Sequence, residues 1–183
     1  QGDHVYASDA TERMAARPGG NRLRVHRTLV VTDDDLSRLR AISTALGHEA
    51  QKSANAKVGY RQSAGEGYEF YGLRFEAGLA CREQLRVDDA DAQRNFASIA
   101  RAHEAADCVV AYVHHHHWDA QWERAPQWFR TFAHDCVDAG AGVVVSHGVP
   151  MLQGIEIYKG APIFCGLGNF IFHTFQPAKY TDE

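Results

Sequence analysis

Residues 108–117 read CVVAYVHHHH, an apolar run that ends in four consecutive histidines. The run from Cys108 to Val113 is typical of a parallel strand that is buried on both faces. A second short apolar stretch, Gly142 to Val145, ends in a similar way at Ser146-His147-Gly148. The sequence therefore predicts two strands that both stop at histidine.

The segments around these two strands alternate between helical and extended patterns. The clearest helix begins near Pro126, carries apolar residues at 1-4-5-8 spacing and ends at Gly140. The other predicted elements are a strand at His26–Val31, a helix capped by Thr32 that ends at Gly47, a surface loop at 48–67, a strand at Tyr68–Phe75, a helix at Val87–Asp107, and a hairpin of Met151–Tyr158 with Pro162–Leu167. This order predicts an α/β protein: a mainly parallel sheet flanked by helices, with an antiparallel C-terminal hairpin.

Composition and charge argue against a nucleic-acid partner and against a membrane span. The chain has 183 residues, of which 45% are hydrophobic, which is enough to bury the core of one domain over residues 1–183. A net charge of -4 with scattered Lys and Arg gives no basic footprint for nucleic acid. No window reaches the ~18 apolar residues of a membrane span. We expect a soluble chain without nucleic-acid partners, in the cytoplasm or associated with the cell envelope.

The histidines predict a metal centre. In open α/β sheets ligands gather outside the carboxyl ends of the strands, so the run His114–His117 and His147 should converge on one site. Neutral imidazole is a common ligand for zinc, iron and manganese-type ions. Side chains alternate in extended backbone, so that His114 and His116 share one face and two ligands from the run are expected. The alternative is an exposed histidine cluster that binds metal only incidentally.

Two stretches in the C-terminal part of the chain form a recognisable pattern. Residues 145–158 read VSHGVPMLQGIEIY and residues 163–170 read IFCGLGNF. This pattern closely resembles the CapA family of poly-γ-glutamate capsule biosynthesis proteins, in which a Gly-His-rich loop precedes QGIEIY and then a SLGNF turn. Further matches are Asp107–Val110, Asp138–Ala141 and the loop RPGGNRLR at 17–24. The resemblance is strong from 107 to 172 and moderate before it.

This resemblance implies a calcineurin-like metallophosphatase fold of four layers, α/β/β/α, in which two divalent transition metal ions (Zn, Mn or Fe) act. His114, His116 and His147 match the family's histidine positions and are the implied metal ligands. The family's N-terminal motifs have no counterpart upstream of residue 107. We therefore expect this chain to be the C-terminal portion of such a domain, without its N-terminal metal-binding half. The implied activity is metal-dependent hydrolysis of a phosphoester or amide-type substrate in poly-γ-glutamate capsule synthesis or processing.

Departures from the family pattern keep other functions open. Pro150 stands where the family usually has a further histidine, and Gly142 where an acidic residue is common. A non-catalytic binding or scaffold protein of capsule polymer export, with a degenerate metal site, is therefore the main alternative. A metal-buffering domain based on the histidine run is a third hypothesis.

Four further residues are predicted to support the site or to bind substrate. Glu156 lies on an alternating strand and would support a ligand, unless that side of the strand is solvated. Asn169 lies in a glycine-rich turn, while Asn21 and Arg24 would bind a carboxylate-rich or phosphate substrate, unless their loop is structural. These contacts suit an anionic polymer or a small molecule. A sheet without its first strands exposes an edge, so a homodimer or an N-terminal segment is also expected as a partner.

Overall fold

The computed structural model describes residues 19–59, 67–117 and 120–169, together with Tyr6, Glu12, Met14 and Ala15. The chain divides into two compact units, Arg24–Asp88 and Gln1–Leu23 with Asp89–Glu183. Within the described residues each unit contains one four-stranded sheet and two α-helices. The predicted α/β class is therefore confirmed. None of the helices in the described ranges combines the length and the apolar character needed to span a membrane.

The unit Arg24–Asp88 contains a mixed sheet. Its elements are β1 (Val25–Val31), α1 (Asp33–Ala45), α2 (His48–Lys57), β2 (Tyr68–Phe70), β3 (Leu73–Ala77) and β4 (Arg82–Val87). The strand order is β2-β3-β1-β4, with β1 parallel to β3 and antiparallel to β4. The Thr32 hydroxyl accepts a hydrogen bond from the Asp35 backbone N–H at 3.2 Å, which explains why α1 begins where the sequence predicts.

Three predictions for this part of the chain were wrong in detail. The predicted loop 48–67 contains α2, because its Ala, Glu, Gln and Lys residues favour a helix although it has no buried side chain and hence no apolar stripe. The predicted strand 68–75 is two strands, β2 and β3, separated by Tyr71 and Gly72, which both have positive φ. Most of β4 was missed because REQLRV lacks the apolar alternation of a half-buried strand, and the helix predicted from Val87 begins only at Asp89.

The second unit carries the histidines on a mainly parallel sheet. Its elements are α3 (Asp89–His103), β5 (Val110–His114), α4 (Gln127–Asp138), β6 (Val143–His147), β7 (Ile155–Tyr158) and β8 (Ala161–Phe164). The order is β5-β6-β8-β7, in which β5, β6 and β8 are parallel and β7 is antiparallel to β8. Lys159 and Gly160 join the hairpin with φ of 49° and 87°, as a tight primed turn requires. The predicted sheet with its C-terminal hairpin is confirmed.

One face of this sheet packs against α4, whose buried residues are Trp128, Phe129, Phe132, Ala133 and Cys136. Val144 and Ile163, which are opposite each other in register, are fully buried on that face.

The expectation that the run 108–113 is buried on both faces was wrong. Val110 and Tyr112 are 59% and 61% exposed, because in the described part of this unit helical packing buries only the alternate residues of β5.

Candidate metal centre

The ends of β5 and β6 bring two histidines side by side. His114 and His147 are partners in the parallel register, and their ring centroids lie 5.4 Å apart. The His115 backbone N–H donates to the His147 carbonyl oxygen at 3.0 Å, so the pairing continues one residue beyond β5. Both imidazoles therefore lie at the carboxyl edge of the sheet, where ligands bind in open α/β folds.

His116 turns back toward His114. Their Nε2 atoms are 2.9 Å apart, and their ring centroids 5.0 Å. Two nitrogens that bind one ion at about 2.0–2.1 Å lie roughly 3 Å from each other, so this spacing fits a shared ion as well as an N–H···N hydrogen bond. Among the residues that the structure describes, no three His, Cys, Asp or Glu side chains already form a complete metal site. The arrangement is a nitrogen pair with the His147 ring beside it.

Electrostatics favour the metal-binding form of His114. Partial burial, together with the neighbouring His116 and His147, lowers the pKa of His114. A lowered pKa means that the ring is neutral at pH 7, and neutral imidazole is the form that binds metal.

His115 points to the other side of the strand and anchors the histidine run. The residue is 6% exposed, and its ring packs at 4.9 Å from Trp128 and 5.2 Å from Phe129, measured between ring centroids. Its Nδ1 accepts the backbone N–H of His117 at 3.3 Å. Burial, with a contribution from His117, lowers the pKa of His115 to about 4, so this ring is a neutral part of the core.

The loop after β6 approaches the histidine run closely at Gly148. This glycine has φ of 110°, and a Cβ there would collide with the carbonyl group of His115. Further along, the Asn169 backbone N–H donates to the Pro150 carbonyl oxygen at 3.0 Å. Asn169 therefore lies beside the loop that follows His147, and its side chain is exposed.

The other predicted site residues lie in different places. Asn21 lines a groove of about 540 Å³ that follows β5 and also includes His114. Arg24 belongs to the other compact unit, where its guanidinium pairs with Asp88 at 3.0 Å. Glu156 projects from the opposite face of the sheet to His147, because it is in register with the buried Ile163.

Glu156 instead forms a charged cluster with α4. Its Oε1 lies 2.7 Å from His134 Nε2, and its Oε2 lies 3.2 Å from Arg130 Nε. Partial burial alone would raise the pKa of Glu156, but the hydrogen bonds from His134 and Arg130 outweigh it and hold the pKa below its usual value. The cluster ties β7 to the helix that covers the sheet.

Replacing Glu156 by glutamine is expected to lower the free energy of unfolding by about 1 kcal/mol at pH 7. A carboxyl group whose pKa is lowered by folding stabilises the folded state above its unfolded pKa, near 4.3. This stabilisation is lost as the pH falls through the lower folded pKa. The difference between wild type and Glu156→Gln should therefore shrink from pH 7 to pH 3.5 in urea unfolding. Glu104→Gln, at an exposed position, is the control; a difference that does not depend on pH would contradict the assignment.

Sequence reasoning missed Tyr112, which contacts His114 directly. The Tyr112 hydroxyl lies 3.4 Å from His114 Nδ1. The two-residue period of a strand places both side chains on one face and was a usable signal. The apolar run 108–113 hides this signal, because it predicts that Tyr112 is buried on a covered face.

Comparisons with known proteins show which family and which relatives the chain is similar to. The family model described as "Bacterial capsule synthesis protein PGA_cap" matches residues 20–174. The chain is 35% identical over 167 residues to two proteins of Sinorhizobium fredii (strain NBRC 101917 / NGR234), "Uncharacterized protein y4sH" and "Uncharacterized protein y4uA"; each alignment covers 91% of this chain and 34% of the relative. It is 31% identical over 118 residues to "PGA biosynthesis protein CapA" of Bacillus subtilis (strain 168), covering 64% of this chain and 28% of that protein. The chain spans about a third of the length of these curated relatives.

Proposed function

Because this chain belongs to the bacterial capsule synthesis protein PGA_cap family, we propose that it contributes the histidine ligands of a metal-dependent hydrolase that acts in capsule polymer synthesis. The proposed ligands are His114, His116 and His147. The substrate class is a phosphoester or an amide-linked anionic polymer such as poly-γ-glutamate.

The observation that carries this proposal is the spacing of the imidazoles at the edge of the sheet. His114 and His116 present Nε2 atoms 2.9 Å apart, and the His147 ring centroid lies 5.4 Å from that of His114. Three imidazoles on two paired strands form a nitrogen-rich donor set, which favours zinc or iron over calcium or magnesium. Such an ion, or the pair of ions that the family resemblance implies, would supply a Lewis acid and a bound water of lowered pKa.

The chain's own residues would orient the substrate around this donor set. The groove beside β5 includes both Asn21 and His114, so an amide donor is available in the same groove as one of the proposed ligands. Asn169 provides a second exposed amide next to the loop that follows His147. Both amides would donate hydrogen bonds to oxygens of an anionic substrate without adding a negative charge.

A scaffold that binds capsule polymer without turnover is the second proposal. Two points favour it. Pro150, which cannot bind metal through its side chain, stands where the resemblance to the CapA family implies a histidine. The described residues also contain no complete group of three ligands. In that case the histidines would bind one ion weakly and serve only to bind polymer.

Hydrolysis assays with the complete protein distinguish the two proposals. The metal-stripped protein would be supplied with Mn²⁺ or Zn²⁺ and assayed on p-nitrophenyl phosphate, bis-p-nitrophenyl phosphate and poly-γ-glutamate. We expect turnover that depends on added metal and falls by roughly 100-fold or more in His147→Ala, because loss of outer-shell partners alone costs about 10- to 100-fold. His26→Ala, in the other compact unit, is the matched control and should keep its activity. Metal binding without turnover on any substrate would contradict the hydrolase and favour the scaffold.

A further inference from the structure

Tyr112 and His114 form a contact that the proposed ligand set does not include. They are two residues apart on β5 and project from the same face of the strand. The Tyr112 hydroxyl is 3.4 Å from His114 Nδ1, while His114 Nε2 is 2.9 Å from His116 Nε2. The two nitrogens of His114 therefore have different partners, one a phenol and the other an imidazole.

We propose that Tyr112 is a positioning residue that holds His114 in the tautomer with its proton on Nδ1, so that Nε2 is left to bind metal. The inference rests on the proposed function, since it assigns a role toward the same metal site. A histidine that binds metal through one nitrogen usually donates its other ring N–H to an oxygen, which fixes both the tautomer and the orientation of the ring. The phenol oxygen of Tyr112 is such an acceptor, and it lies next to the nitrogen that faces away from His116.

The exposure of Tyr112 separates this role from a packing role. Tyr112 is 61% exposed, whereas the neighbouring Val113, on the α4 side of the sheet, is 8% exposed. Removing only the hydroxyl of an exposed tyrosine leaves the aromatic ring in place. A change in zinc affinity without a change in the urea midpoint of unfolding would therefore report on His114 and not on the stability of the sheet.

The test compares Tyr112→Phe with Tyr158→Phe. Tyr158 also carries a hydroxyl in a 3.4 Å contact, with Asp138, but its strand position places it on the opposite face of the sheet from His147, so it is a matched control. Zinc affinity would be measured by competition with a chromogenic chelator, and the tautomer of His114 by imidazole ¹⁵N shifts in the metal-free chain. We expect Tyr112→Phe to bind zinc about 10- to 100-fold more weakly, with an unchanged urea midpoint. We also expect it to lose the Nδ1–H preference that wild type and Tyr158→Phe show.

The outcomes separate this inference from the proposed function. If His114→Ala loses zinc but Tyr112→Phe binds as tightly as wild type and keeps the same tautomer, only the role of Tyr112 is overturned. A wild-type His114 that carries its proton on Nε2 would also overturn it. If wild type and His114→Ala bind zinc equally, the proposed metal site fails and the positioning role falls with it, whatever the tautomer shifts show.

Discussion

Replacing Gly148 by alanine is expected to lower the free energy of unfolding by roughly 2–4 kcal/mol and to disturb the histidine run. Gly148 has φ of 110°, in a region that L-residues with a side chain rarely adopt. A Cβ at this position would also lie 3.0 Å from the His115 carbonyl carbon and closer still to its oxygen. Because backbone cannot move aside as a flexible side chain can, the loop after β6 would have to shift away from the end of β5.

The matched control is Gly154→Ala, further along the same loop. Among the residues that the structure describes, no atom outside its chain neighbours lies within 4 Å of a Cβ built on Gly154, and its φ is not in the left-handed region. We expect Gly154→Ala to change stability by no more than about 0.5 kcal/mol. Urea unfolding of both variants, with His114 and His147 ring resonances as a local probe, would check the prediction. Equal stabilities for the two variants would show that the close approach at Gly148 does not constrain the loop.

The features that the sequence predicted well are those in which local pattern and packing agree. α4 was predicted because Trp128, Phe129, Phe132, Ala133 and Cys136 form one stripe, and all five are buried. The end of β6 was predicted because an apolar run stops at a polar, glycine-containing loop. In α4 a single period determines which face is covered.

The features that were missed depend on contacts that a local pattern does not contain. α2 has no apolar stripe, and β4 pairs with β1 through its backbone while its side chains remain mostly exposed. β5 is apolar on both faces, so its sequence could not indicate that one face is open. The pairing of Glu156 with His134, 22 residues earlier in the chain, depends on how α4 packs on the sheet.

For the site itself, spacing along the chain predicted which histidines share a side, but not their distances. Alternation placed His114 and His116 together, and the structure brings their Nε2 atoms to 2.9 Å. The contact with Tyr112 required the positions of side-chain atoms. The role of His115 as a buried anchor required the position of Trp128 across a loop.

Loss of either strand-end histidine should have the largest effect on metal content. His114 and His147 come from different strands, but they are direct partners in the parallel register, so each contributes to the same donor set. Removing one imidazole leaves at most two of the three proposed nitrogens. Because loss of outer-shell partners already costs about 10- to 100-fold in affinity, loss of a ligand should exceed that range. The exposed His26, in the other compact unit, again provides the matched alanine control.

The most direct measurement is therefore the metal content, by elemental mass spectrometry, of protein purified without a nickel column, for wild type, His114→Ala, His147→Ala and His26→Ala. The proposed site predicts near-stoichiometric zinc, manganese or iron in wild type and His26→Ala, and loss of the metal in both His114→Ala and His147→Ala. Wild-type protein without metal, or metal that His147→Ala retains in full, would contradict a shared site at the ends of β5 and β6.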